Sequence, residues 1–197
     1  MNIGIDIDGV LTDIHGFNQK HAPPFFKRKF GHEVVDECSY DIREVFNCSD
    51  SEFKAYWKKY LLKYTIIEPP RERAKEVIHK LLDDKHNIYI ISKRVFTYRQ
   101  DFVGRLMRFI VRNWLRRNGI RYNEIIFCDY FVPDSKRTVC LDKHIDIMVD
   151  DDEVNILSVA PIAKVICFDT TYNRDCEGEN IVRARNWGEV YQLISEG

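Results

Sequence analysis

Asp6 and Asp8 stand two residues apart, directly after an apolar run and directly before Gly9. In an extended chain, residues two apart share a face. A glycine lets the chain turn so that backbone N–H groups can approach an anion. Two carboxylates held close repel each other, and a bound divalent cation resolves the repulsion. A second acidic group, Asp150-Asp151-Asp152, directly follows another apolar run at residues 145–149. Three consecutive acids at a strand end are unfavourable without a cation or strong hydrogen bonding. Two such clusters, each at the carboxyl end of a strand, argue for one shared metal. All-carboxylate donors of this kind suit Mg2+.

The elements that must position these acids are visible as short apolar runs at residues 3–7, 87–92, 124–128, 145–149 and 164–168. Such runs read as strands buried on both faces of a parallel sheet. Helical patterns separate most of them. Residues 71–84 carry Ala74, Val77, Ile78, Leu81 and Leu82 at helical spacing, and residues 98–118 place Phe102, Leu106, Ile110 and Trp114 on one stripe, with Gly119 as the cap. Shorter helices are expected at 135–143 and 153–159, and a last one at 186–196. The alternation predicts an α/β fold, a Rossmann-like parallel sheet with helices on both faces. In such sheets ligands bind just outside the carboxyl ends of the strands, where both acidic clusters fall.

One interval breaks the rhythm. Roughly 80 residues separate the first strand from the second, and a crossover needs only about a dozen. The excess contains Phe53, Tyr56, Trp57 and Tyr60 at helical spacing, read here as the core of a helical insertion. Pro69-Pro70 marks the return to the sheet. The expected division is a core of residues 1–13 and 69–197 and a helical cap of residues 14–68. His15 and His21 are assigned to the cap.

Composition narrows the partners. Of 197 residues, 45% are hydrophobic and 31% charged, with a net charge of −1, which gives no strong nucleic-acid signal. Arg105, Arg108, Arg112 and Arg116 read as a solvated basic face. No apolar run approaches the ~18 residues needed to span a bilayer, so no membrane is expected. The opening residues lack a signal-peptide pattern, and a cytoplasmic protein is expected. The six cysteines form no CxxC pair and read as reduced, small core residues rather than zinc ligands.

These residues carry a resemblance. Asp6-Ile7-Asp8-Gly9-Val10-Leu11-Thr12-Asp13 resembles the first motif of the haloacid dehalogenase superfamily in its phosphatase form. Ser92, at the end of the second strand, stands where that superfamily places its phosphate-binding Ser or Thr. Asp150 and Asp151 resemble its fourth motif, and the long interval after motif one matches the place of its helical cap. A narrower resemblance is to the 5'(3')-deoxyribonucleotidase-like branch. It rests on Asn113-Trp114-Leu115 with Asn118-Gly119-Ile120, on residues 145–151, on residues 167–174, and on Asn186-Trp187.

The resemblance implies a magnesium-dependent phosphomonoester hydrolase. Asp6 would be the nucleophile and a metal ligand, and Asp8 the general acid–base and a ligand through its backbone carbonyl. Asp151 would ligate directly, with Asp150 supporting the metal through its water shell. The superfamily carries an acid or amide at the position of Asn155. Ser92 and Lys136 would hold the phosphate, with Lys143 as the alternative lysine, and Lys93 and Arg94 would add positive charge to substrate binding. The implied partner is a small phosphorylated metabolite, a nucleoside monophosphate within the narrower branch. The alternatives are a phosphatase of another metabolite, a phosphoryl-transfer enzyme, and a non-catalytic binding module of the same fold.

Overall fold

A computed structural model describes residues 1–196. The chain forms two compact units, one of residues 1–12 with the chain from Pro69 onward, the other Asp13–Glu68.

The first unit is built on six strands: β1 (Asn2–Ile5), β2 (Asn87–Ser92), β3 (Glu124–Phe127), β4 (Ile147–Asp150), β5 (Lys164–Phe168) and β6 (Ile181–Ala184). All neighbours pair in parallel, in the order β3-β2-β1-β4-β5-β6. This order reverses between β1 and β4, the pair whose carboxyl ends carry the two acidic clusters. The register sets Ile5 beside Ile90 and Val149, so Asp6, Ser92 and Asp150 leave the sheet at the same end. The expectation of a parallel Rossmann-like sheet holds. The sixth strand has no counterpart in the sequence reading. Ile181-Val182-Arg183-Ala184 offers only a short apolar pair after a polar loop, and as an edge strand it is only partly buried.

Alternation along the strands sorts the core into two clusters. One joins Ile3, Ile5, Ile90, Val149 and Ile166 to α4 (Ala74–Asp83), α5 (Phe102–Arg117) and α8 (Trp187–Ser195). The other joins Ile91, Met148, Val165 and Cys167 to α6 (Ser135–Asp142) and α7 (Glu153–Val159). Helices therefore cover both faces. Four of the six cysteines are buried, and all six are free thiols.

Helix α5 departs from its expected stripe. Phe102 is 69% exposed and Leu106 43%, while the buried side carries Gly104, Met107, Val111, Trp114 and Leu115. A strict four-residue step drifts about 40° around the helix each time, so the expected stripe wound off the buried side at its N-terminal end. Among the arginines of the expected solvated face, Arg108 instead binds the carbonyls of Thr97 and Arg99 at 2.6 Å each, holding the loop that follows β2.

The second unit is helical: α1 (Ile14–Phe30), α2 (Ile42–Phe46) and α3 (Asp50–Ile67). Asp13 caps α1 through Gly16 N, and Ser49 with Glu52 forms a capping box on α3. Ala22, Phe25, Phe26, Ile42, Phe46 and Tyr56 make its core, with Phe53, Trp57 and Tyr60 packed against it. Phe26 and Phe46 stack with ring centroids 4.5 Å apart. Thr12 and Pro70 form an antiparallel bridge, so the chain leaves and re-enters the first unit at one place.

A Cβ on Gly104 would lie 1.9 Å from the carbonyl oxygen of Arg99. Gly104→Ala should therefore force α5 away from the loop after β2 and destabilise the protein by ~1–3 kcal/mol. Urea denaturation reads this as a lowered midpoint; an unchanged midpoint would show that the loop yields freely.

Candidate active site

Asp6 is the first residue beyond β1, and its N–H continues the ladder to the Val149 carbonyl at 3.0 Å. The chain then closes a tight loop. Leu11 N, Thr12 N and Thr12 Oγ1 all donate to the Ile7 carbonyl at 2.9–3.0 Å. Arg71 Nε binds the Gly9 carbonyl at 3.0 Å, and Trp187 Nε1 binds that of Val10 at 3.3 Å. Gly9 has φ +89, and a Cβ there would lie 1.9 Å from Asp151 Oδ2. Only a glycine serves at this position, because the loop must take a left-handed turn and let the Asp151 carboxylate rest against its backbone.

The end of β4 supplies Asp150 and Asp151, both buried. Asp150 Oδ1 accepts from Asp151 N at 3.0 Å, Asp152 N at 3.1 Å and Asn155 Nδ2 at 3.5 Å. Lys136 Nζ, in the first turn of α6, donates to Asp150 Oδ2 at 2.6 Å and lies 3.0 Å from Asp6 Oδ1. Lys136 is 1% exposed. Lys143 lies at the other end of the helix, paired with Glu124 at 3.0 Å.

Asp6, Asp150 and Asp151 each offer an oxygen within 4.8 Å of the others, the one such acidic group among the described residues. With all three carboxyls ionised, the single Lys136 ammonium would leave two negative charges unbalanced. The three carboxylates are hard oxygen donors of a kind that fits magnesium. Burial pushes the Asp6 carboxyl up to about 7; Lys136 opposes that shift, and Asp150 and Asp8 add to it. Burial likewise raises Asp150, against the pull of Lys136. Burial raises Asp151 well above its ordinary value, and its neighbours Asp150 and Asp6 add to the shift. Burial works against the Lys136 ammonium, yet Asp150 and Asp6 more than offset it and hold its pKa above the ordinary lysine value.

Two residues expected at the phosphate have other partners. Arg94 is 5% exposed and grips Asp8 with two nitrogens, Nε to Oδ2 at 2.9 Å and Nη2 to Oδ1. Lys93 Nζ reaches the Pro133 carbonyl at 3.3 Å. Ser92 is fully buried, and its Oγ accepts from Arg94 N at 3.2 Å. Sequence reasoning assigned no role to Tyr172, whose hydroxyl donates to Asp151 Oδ2, or to Asn173, whose Nδ2 donates to the Asp151 carbonyl at 2.8 Å. Both lie in the stretch 167–174 that carried the narrower resemblance.

Solved structures share this arrangement of sheet and helices. A HAD-superfamily hydrolase of subfamily IA from Geobacter sulfurreducens matches with a TM-score of 0.60 at 14% identity, over 98% of both chains. The D,D-heptose 1.7-bisphosphate phosphatase of B. bronchiseptica, solved with magnesium and phosphate, matches with a TM-score of 0.59 at 13% identity, over 100% of both chains. The fold is that of the haloacid dehalogenase superfamily. A nucleotidase of Clostridium acetobutylicum is 28% identical over 197 residues, covering 98% of this chain and 93% of the relative. The model of the 5' nucleotidase, deoxy (pyrimidine), cytosolic type C protein family matches residues 1–196, and the chain belongs to that family of phosphatases.

An acid whose folded pKa lies above its unfolded value weakens the fold as it ionises. For Asp6 the penalty is absent below about pH 4 and complete above about pH 7. In EDTA, Asp6→Asn should melt close to wild type at pH 4 and several degrees higher at pH 8. A melting difference that does not grow across this interval contradicts the assigned burial penalty.

Proposed function

We propose that the protein is a magnesium-dependent hydrolase of nucleoside monophosphates that works through an aspartyl-phosphate on Asp6. The observation that carries this reading is the Asp6 carboxylate, buried at the end of a central strand, 3.0 Å from Lys136 and grouped with Asp150 and Asp151. The nucleotide as substrate rests on membership of the nucleotidase family.

Asp6, the backbone carbonyl of Asp8 and Asp151 would hold the metal. Asp151 is the better direct ligand of its pair, because both oxygens of Asp150 already accept hydrogen bonds. Bound there, Mg2+ offsets the repulsion between a carboxylate nucleophile and a phosphate dianion. An Asp6 oxygen attacks phosphorus, the bond to the nucleoside oxygen breaks, and Asp8 gives that oxygen its proton. Asp8 then takes a proton from water, the water oxygen attacks phosphorus, and Asp6 is released. Lys136 and Ser92 face the charge spread over the equatorial oxygens. Arg94 stabilises ionised Asp8, the form that ends the first step and begins the second. The role assigned to Arg94 is thus to serve Asp8 rather than to bind phosphate.

Asp6→Asn should abolish phosphate release from 5'- and 3'-deoxynucleoside monophosphates in magnesium. Asp8→Asn keeps its backbone carbonyl and should lose ~10²–10⁴-fold in rate. With an aryl phosphate, whose leaving group needs no proton, rapid-quench mass spectrometry of Asp8→Asn should find one phosphoryl group on the peptide containing Asp6. A phosphoryl group on another residue, or full turnover by Asp6→Asn, overturns the covalent role. Turnover of a sugar phosphate in preference to every nucleotide overturns the substrate class alone.

A further inference from the structure

The loop between β5 and β6 is far more heavily hydrogen-bonded than a connection requires. Arg183, on the edge strand β6, uses Nη1 on Asp169 Oδ1 and Asn173 Oδ1, both at 2.9 Å. Its Nη2 reaches the carbonyls of Asn173, Arg174 and Cys176 at 2.8–3.2 Å. Asn173 is 1% exposed, and its amide is fully used. Its Oδ1 accepts from Arg183 and from Thr170 N at 3.1 Å, and its Nδ2 donates to the carbonyls of Asp151 and Phe168 at 2.8 and 2.9 Å. A side-chain amide with every donor and acceptor engaged has one orientation. The next residue back, Tyr172, is thereby delivered to the Asp151 carboxylate, where its hydroxyl donates to Oδ2.

We infer that Tyr172, braced by Asn173 and Arg183, is a positioning residue for Asp151 that sets both the affinity of the cation site and its preference for magnesium over calcium. The inference rests on the proposed role of Asp151 as a direct ligand. A carboxylate oxygen that accepts a phenol proton has less electron density left for a metal, so Asp151 offers a cation one good oxygen. Magnesium demands a small octahedral shell, which single-oxygen carboxylates satisfy. Calcium accepts more ligands and readily takes both oxygens of one carboxylate. The rigidity comes from outside the site, through an arginine on the sheet edge. Partners of metal ligands typically contribute about 10–100-fold in metal affinity.

The test is calorimetric titration of the protein with MgCl2 and, separately, CaCl2, alongside melting of the metal-free protein. Tyr172→Phe removes only the hydroxyl. Because that hydroxyl serves a buried carboxylate, the metal-free variant should melt cooperatively but somewhat lower than wild type; it should bind magnesium ~10-fold more weakly and calcium as well as or better than wild type. Arg183→Met keeps the phenol and loosens its brace, and should shift the magnesium-to-calcium affinity ratio in the same direction by less. Wild-type affinities for both cations in Tyr172→Phe overturn the inference, as does an equal loss for both. Absence of magnesium binding by the wild-type protein overturns instead the metal role of Asp151.

Discussion

Two of the three grouped acids at the carboxyl end of the sheet meet at one ammonium group, that of Lys136, lying between Asp6 and Asp150. Taking three carboxylates out of water costs several kcal/mol for each charge even after relaxation. One lysine offsets part of that and no more. The turn between β4 and α7 supplies a further part, because the backbone N–H groups of Asp151 and Asp152 both donate to Asp150. Asp6 shares Lys136 with Asp150, Asp151 takes the Tyr172 hydroxyl, and burial still raises both carboxyls. The penalty of burying charge thus falls on the groups proposed to meet metal and phosphate.

The sheet order explains why these groups can meet at all. β1 and β4 are neighbours in space while the chain between them visits β2 and β3. The helix before β2, α4, packs on one face of the sheet and the helix after β4, α7, on the other, the arrangement of a switch point between β1 and β4. Gly9 then permits the Asp151 carboxylate to come against the loop after β1.

The acids were legible in the sequence because their chemistry is local. Each cluster is contiguous and sits directly after an apolar strand, so type, spacing and context coincide. The choice between Lys136 and Lys143 follows from the direction of α6, whose first turn faces the acids. Pairings across long separations left no such trace. Arg94 meets Asp8 across 86 positions, and nothing in a Ser-Lys-Arg tripeptide says which cation turns inward. Tyr172, Asn173 and Arg183 were unreadable because their roles arise from the β5–β6 register, and β6 itself is short and charged. The α5 stripe failed for a different reason, since apolar side chains at helical spacing identify a helix without fixing which side is buried.

The bridge between Thr12 and Pro70 bears on how the chain finds its fold. β1 pairs with β2 across 85 positions, beginning with Asn2 beside Asn87. Contacts this distant make folding slow, because the intervening chain must lose its freedom before the pairing repays it. The Asp13–Glu68 unit has its own aromatic core. Once that core has condensed, the ends of the segment are no longer separated by a coil of more than fifty residues. In the folded chain the Thr12–Pro70 bridge thus acts as a staple, closing the long excursion between β1 and β2 at its base.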